Sequence, residues 1–172
     1  MRANPPSDAA DRAIHEDLCA HFEERDATPL RRRALTFIDA HPQSDEVPFA
    51  YLYFAETFRR EAAKDPSKGE LARRAYEEVV DRSSPFESYA HLALAQLATE
   101  AGDAGDASLK HYGLSLRTRG GWGMVEVSTE AITGLGNLWP KLRKSSDFGM
   151  FLSVHAFAAW QGIGVVGGYL KA

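Results

Sequence analysis

Residues 51–85 read YLYFAETFRREAAKDPSKGELARRAYEEVVDRSSP and decide the fold. Apolar residues recur in this stretch at three- and four-residue spacings, which is the period of an amphipathic helix. The break at Asp65-Pro66 divides the pattern, because proline cannot continue a preceding helix. We therefore predict a hairpin of two helices, over residues 48–64 and 68–82. Their apolar faces are Tyr51, Leu52, Phe54, Ala55 and Phe58 in the first helix and Leu71, Ala72, Ala75, Tyr76 and Val79 in the second.

The helical period continues on both sides of this hairpin. Thr28-Pro29 is a typical helix start, since proline fits the first helical position. No segment alternates with period two for long enough to require a sheet. The chain is therefore predicted to be all-α. The further predicted helices cover residues 9–25, 28–40, 85–101 and 106–117, and an apolar helical stripe covers 125–142.

Small residues recur at a fixed phase in these helices. Ala55, Ala93 and Ala131 lie 38 residues apart, and Ala34 and Ala72 have the same separation in the alternate helices. A small residue is what close approach of two helices requires. A regular helix-turn-helix period indicates that each hairpin buries its apolar face by stacking on the next.

The best repeat resembles the tetratricopeptide repeat family, whose 34-residue unit pairs two antiparallel helices. The family's large, small and aromatic positions are matched over residues 51–85, while the next repeat is looser because Gln96 and His111 replace aromatic residues. The resemblance implies a right-handed solenoid of three to four antiparallel hairpins. The residues that carry it are Tyr51, Phe54, Ala55, Phe58, Ala72, Tyr76, Val79 and Pro85.

The resemblance also implies a concave face, built from the first helix of each hairpin, on which partner peptides bind. Leu94 and Leu97 would make this groove partly apolar, which favours an amphipathic or hydrophobic ligand. The alternative for these two leucines is packing between repeats. The partner-binding positions implied in this way are Phe49, Leu52, Glu56, Arg59, Leu94 and Leu97.

Residues 148–170, FGMFLSVHAFAAWQGIGVVGGYL, contain no charged side chain. Such a segment is long enough to span a membrane, and it is too apolar for the water-facing cap of a solenoid. The remaining interpretations are docking on a partner or a second copy, and plain burial in the protein's own core. We favour docking, with Phe151, Phe157 and Trp160 as contacts, over a membrane anchor.

Composition excludes some classes of function. The 172 residues carry a net charge of −4, which argues against a nucleic-acid partner. Cys19 is the only cysteine, so no internal disulfide can form. The first residues lack the apolar run of a secretory signal. We expect a cytoplasmic protein, or one attached to a membrane by its C-terminus.

Histidines are the only candidates for catalysis or metal binding. His15 and Cys19 share a helix face, but His21 points elsewhere and no fourth ligand is spaced nearby, so we expect no metal and no cofactor. His91 and His111 fall on adjacent helices and are expected to be able to meet. A small helical enzyme that uses either histidine is therefore the lesser alternative.

The sequence as a whole predicts a non-catalytic module, an adaptor or accessory subunit of a larger assembly, that binds protein partners or itself. We expect its concave groove and its apolar C-terminal segment to make the contacts. The main alternative is a tail-anchored protein that displays the repeats to the cytoplasm. The predicted regions are a disordered N-terminus (1–8), tetratricopeptide-like repeats (9–118), a joining amphipathic helix with a basic end (119–146) and the apolar segment (147–172).

Overall fold

The computed structural model describes residues 9–22, 26–103, 105–117 and 124–143, and four single positions at 149, 152, 153 and 156. Within these residues the continuous elements are all α-helices, and no strand is present. The prediction of an all-α chain is confirmed for this part of the protein. The helices are α1 (Ala9–His21), α2 (Thr28–Ala40), α3 (Val47–Ala62), α4 (Ser67–Asp81), α5 (Glu87–Glu100), α6 (Asp106–Arg117) and α7 (Met124–Leu142).

Local sequence signals set the helix ends. Proline occupies the start of α2 and of α3, as Thr28-Pro29 predicted for α2. Before α4, the hydroxyl and the N–H of Ser67 both donate to Asp65, and these bonds lower the pKa of that carboxyl. After α5, Gly102 has a φ of 91°, and the N–H of Asp103 donates to the Ala98 carbonyl at 2.9 Å. This left-handed glycine closes the helix in a Schellman-type turn.

The chain divides into two compact units, Met1–Phe86 and Glu87–Ala172. In the first unit α3 packs extensively on α4, α2 packs on α3, and α1 contacts both α2 and α3. In the second unit α5 packs on α6, and α7 contacts both. The predicted apolar segment 147–172, with Phe151, Phe157 and Trp160, lies outside the described residues except at four single positions.

The recurring alanines are completely buried in both units. Ala34, Ala55 and Ala72 in the first unit, and Ala93 and Ala131 in the second, are each 0% exposed. A methyl side chain takes little space, which suits positions in the interior of packed helices. The repeated small residues seen in the sequence therefore lie in the buried interior of the two units.

Arg31 fixes the start of α2 against the end of α3. Its Nε donates to Thr57 Oγ1 at 2.7 Å, its Nη2 lies 2.7 Å from Glu61 Oε1, and its guanidinium covers the Phe58 ring at 3.9 Å. Since the beginning of α2 meets the end of α3, the two helices run antiparallel. A positive charge opposes the dipole at a helix start, and the Glu61 carboxylate offsets that cost.

Gly134 lets α7 approach α6. A Cβ at this position would lie 2.4 Å from the Oη of Tyr112, whose ring is buried in the core of the second unit. A buried ring has little room to move, so the contact requires glycine.

We expect Gly134→Ala to destabilise the second unit by about 1–3 kcal/mol, the usual cost of overpacking, although alanine is the better helix former. Urea unfolding followed by circular dichroism measures this change. Tyr112→Leu in the same chain should restore part of the loss. Unchanged or increased stability of Gly134→Ala alone would contradict this packing.

Candidate functional site

The side-by-side packing of α1 and α3 in the first unit creates the most distinctive surface of the described residues. His15 stacks on Phe49, with ring centroids 4.0 Å apart and planes within 7°. Cys19 Sγ lies 3.2 Å from Tyr53 Oη. Both pairs are separated by 34 residues, so the two helices run in the same direction.

Aromatic rings continue along this surface. The Tyr53 ring lies 4.6 Å from that of Phe49 and 5.0 Å from that of Phe22, edge on. The Arg60 guanidinium covers Phe22 at 4.3 Å. We call Phe22, Phe49, Tyr53 and Arg60, with His15 beside them, the aromatic strip.

The aromatic strip is only partly covered. Phe49 is buried, but Phe22 and Tyr53 are half-buried, Arg60 is exposed and the His15 side chain is 49% exposed. Burial and the contact with Cys19 raise the pKa of Tyr53 well above its usual range. The phenol therefore keeps its proton at neutral pH and is available for hydrogen bonding at a partly apolar surface.

Glu56 and Arg59, two of the predicted partner-binding residues, are engaged within the fold. The hydroxyl of Tyr76 on α4 donates to Glu56 Oε1, and Arg59 Nη1 lies 3.7 Å from the same oxygen. Their side chains are only 16% and 24% exposed. The carboxylate therefore ties the first helix of the hairpin to the second.

Four of the predicted partner-binding residues are packed within their own units. Phe49, Leu52 and Leu94 are buried and Leu97 is half-buried, so all four contribute to packing within their own units. Partner binding at these positions stays a prediction, as it does for Phe151, Phe157 and Trp160 beyond the described residues.

Sequence reasoning missed Tyr53 and Arg60 as surface residues. The available signal was the spacing of Phe49, Tyr53, Glu56 and Arg60 at i, i+4, i+7 and i+11, which puts them on one helix face. This face lies beside the one that carries the resemblance to tetratricopeptide repeats.

The second unit holds a pair of facing imidazoles, as the sequence predicted. His91 Nδ1 and His111 Nδ1 are 3.1 Å apart, a distance at which one ring donates and the other accepts. On the other side of His91, Glu87 Oε1 lies 3.8 Å from Nε2. Burial, and then the neighbouring His111 and Lys110, lower the pKa of His91 to about 4. His91 is therefore neutral at pH 7 where it forms the bridge between α5 and α6.

His15, Cys19 and His21, the other residues considered as metal ligands, each contact different residues. His15 meets Phe49 and Glu46, Cys19 meets Tyr53, and His21 Nδ1 lies 2.7 Å from the Asp17 carbonyl oxygen. Among the described residues, no three His, Cys, Asp or Glu side chains are arranged to hold a metal ion. In the same part of the chain, no helix is long and apolar enough to cross a membrane.

No protein family profile matches the chain, and comparison with curated proteins and with solved structures finds no match.

Acid should weaken the second unit through His91. Its folded-state pKa of about 4 lies below the usual 6.5, so the unfolded chain takes up a proton first as the pH falls. The contribution to stability is complete above pH 6.5, falls between pH 6.5 and 4, and amounts to about 3 kcal/mol in total.

We expect His91→Leu to reduce the loss of stability between pH 7 and 4.5, measured by urea unfolding at each pH. His41→Gln is the matched control, because His41 is exposed. An equal pH dependence in wild type and His91→Leu would contradict the neutral bridge.

Proposed function

We propose that the protein is a non-catalytic interaction module and that it binds a partner protein through the aromatic strip on α1 and α3. The observation that carries this proposal is the run of half-buried rings and an arginine on one surface. A stand-alone domain gains free energy by burying such rings fully. A strip that stays partly exposed in the folded unit is a surface that a partner can complete.

The composition of the strip supports the proposal. Tyrosine, phenylalanine and arginine are enriched in the cores of protein interfaces, and tyrosine and arginine are frequent hot spots. Arg60 already lies over the Phe22 ring, so little side-chain freedom remains to be lost on binding. Cys19, Tyr53 and His15 add polar groups that can fix the orientation of a partner.

We further propose that the helices stack as tetratricopeptide-like hairpins in a right-handed solenoid. Contacts at a separation of 34 residues support this: His15 with Phe49 in the first unit, and Gln96 Nε2 with Glu130 Oε2 at 3.3 Å in the second. A separation equal to the family's repeat length is expected where first helices of successive hairpins lie side by side. The module would then act by geometry, since stacked hairpins hold their binding surfaces in fixed relation.

The apolar segment 148–170 is the second contact surface of this proposal. A segment without charge that follows the repeats would seat on a partner or on a second copy. Insertion into a membrane as a tail anchor is the alternative function of the segment.

The sole cysteine gives a direct test, because Cys19 is exposed and touches Tyr53 at the strip. We expect a benzophenone maleimide on Cys19 to give a discrete photo-crosslinked adduct in native cell extract, identified by mass spectrometry. Arg60→Glu should reduce the adduct about tenfold, the effect of removing a moderate interface contact.

The matched control moves the crosslinker to α4 in a C19A/D81C chain, because Asp81 is exposed at the end of that helix. The adduct should be absent or different from this position. Equal adducts from positions 19 and 81, or an adduct unaffected by Arg60→Glu, would reject the strip as the binding surface.

A further inference from the structure

A second surface of the first unit is an open groove between α1 and α2, with a volume of about 650 Å³. Ile14 and Phe37 are buried and form its apolar floor, while Ala13 and Ala40 are exposed along its sides. Ala13 and Ala40 carry only methyl groups, so they fill little of the space beside them. The groove is shallow and open to solvent, a shape that suits a surface-bound peptide.

The groove lies on the opposite side of α1 from the aromatic strip. Successive residues of a helix are rotated by about 100°, so Ile14 and Asp17 point away from Cys19 and Phe22. Changes in the groove therefore leave the strip intact, and the two surfaces can be tested separately.

Positive charge exceeds negative charge along the groove. Arg33 Nε donates to Asp17 Oδ2 at 3.1 Å, but the same carboxyl group also lies 3.2 Å from His21 Nδ1. The Nη1 atom of Arg33 is buried and has no hydrogen-bond acceptor among the described residues. That atom is closed to solvent, but the Arg33 side chain as a whole is 38% exposed, so it still contributes positive charge at the surface of the groove.

Arg32 and His41 lie at the exposed edges of the groove. Arg32 lines the groove, is exposed, and makes no ion pair with any described residue. His41 lies at the far end of α2, with its ring 5.1 Å from that of Phe37. Between Arg33 and His41 the helix rises about 12 Å, at 1.5 Å per residue, which matches about two turns of a bound peptide helix.

We propose that this groove binds an acidic amphipathic helix of a partner protein. Apolar side chains of that helix would lie over Ile14 and Phe37, and its carboxylates would pair with Arg32 and with the exposed part of the Arg33 side chain. This is the helix-in-groove mode of recognition, with charge complementarity selecting acidic over neutral sequences. The inference shares with the proposed function only the premise that the protein binds protein partners.

A designed probe tests the groove without knowledge of the natural partner. The probe is a fluorescein-labelled, capped twelve-residue helix with leucines at i and i+4 spacing and glutamates beside them. A second peptide has glutamine in place of every glutamate. Fluorescence anisotropy with the full chain should show binding of the acidic peptide, weakened by salt, and at least tenfold weaker binding of the neutral peptide.

Two variants locate the site. Arg32→Glu should weaken binding of the acidic peptide about tenfold, whereas Arg74→Glu, the same change at an exposed position of α4, should leave it unchanged. Ala40→Trp should abolish binding by filling the groove. Circular dichroism and thermal unfolding check that each variant is folded, and Ala13→Leu replaces Ala40→Trp if the latter fails this check.

Equal binding of the acidic and neutral peptides would overturn the proposal, and so would tight binding to a folded Ala40→Trp or Ala13→Leu chain. Loss of binding in Arg74→Glu equal to that in Arg32→Glu would also overturn it, because net charge alone would then explain the effect. If the peptide does not bind in the groove while the Cys19 adduct is still formed, the proposal of an interaction module is kept and only the groove proposal is rejected.

Discussion

Burial of the apolar faces of the helices is the constraint on which the rest of the structure depends. Ala34, Ala55 and Ala72 in the first unit and Ala93 and Ala131 in the second have no exposed surface. Because an alanine buries only a methyl group, larger side chains must fill most of each core. The larger side chains then either complete the core, as Tyr76 does, or remain at its edge.

The aromatic strip follows from that constraint. α3 packs on α4, α2 and α1, and on the α1 side Phe49 meets His15 while Tyr53 meets Cys19. α1 ends at His21, and the Phe22 ring that follows it leaves Tyr53 half-buried. A surface of this kind costs free energy in water, and this cost is the physical basis for proposing that a partner covers it.

Most of what could be predicted from the sequence is local, and most of what could not is long-range. Apolar periodicity and the prolines gave the helices because both act within a few residues, and the alanines that recur every 38 residues are buried. The meeting of His91 and His111 followed because both face inward on paired helices. Tyr53 and Arg60 were missed because their surroundings depend on a distant part of the chain. Tyr53, for example, contacts Cys19, which lies 34 residues before it. The groove was missed because its sides are formed by Ala13 and Ala40. Their methyl groups leave space open, and a pattern of apolar residues does not reveal open space.

We propose that a partner protein covers the aromatic strip in the cell. The most direct measurement is the rate at which a membrane-permeable maleimide alkylates Cys19 in intact cells, compared with the purified chain. A C19A/D81C chain supplies the reference rate for reagent access, since Asp81 is exposed on α4. We expect the rate of alkylation at Cys19, divided by the rate at position 81, to be several-fold lower in cells than in the purified protein. Equal relative rates in cells and in the purified protein would contradict it.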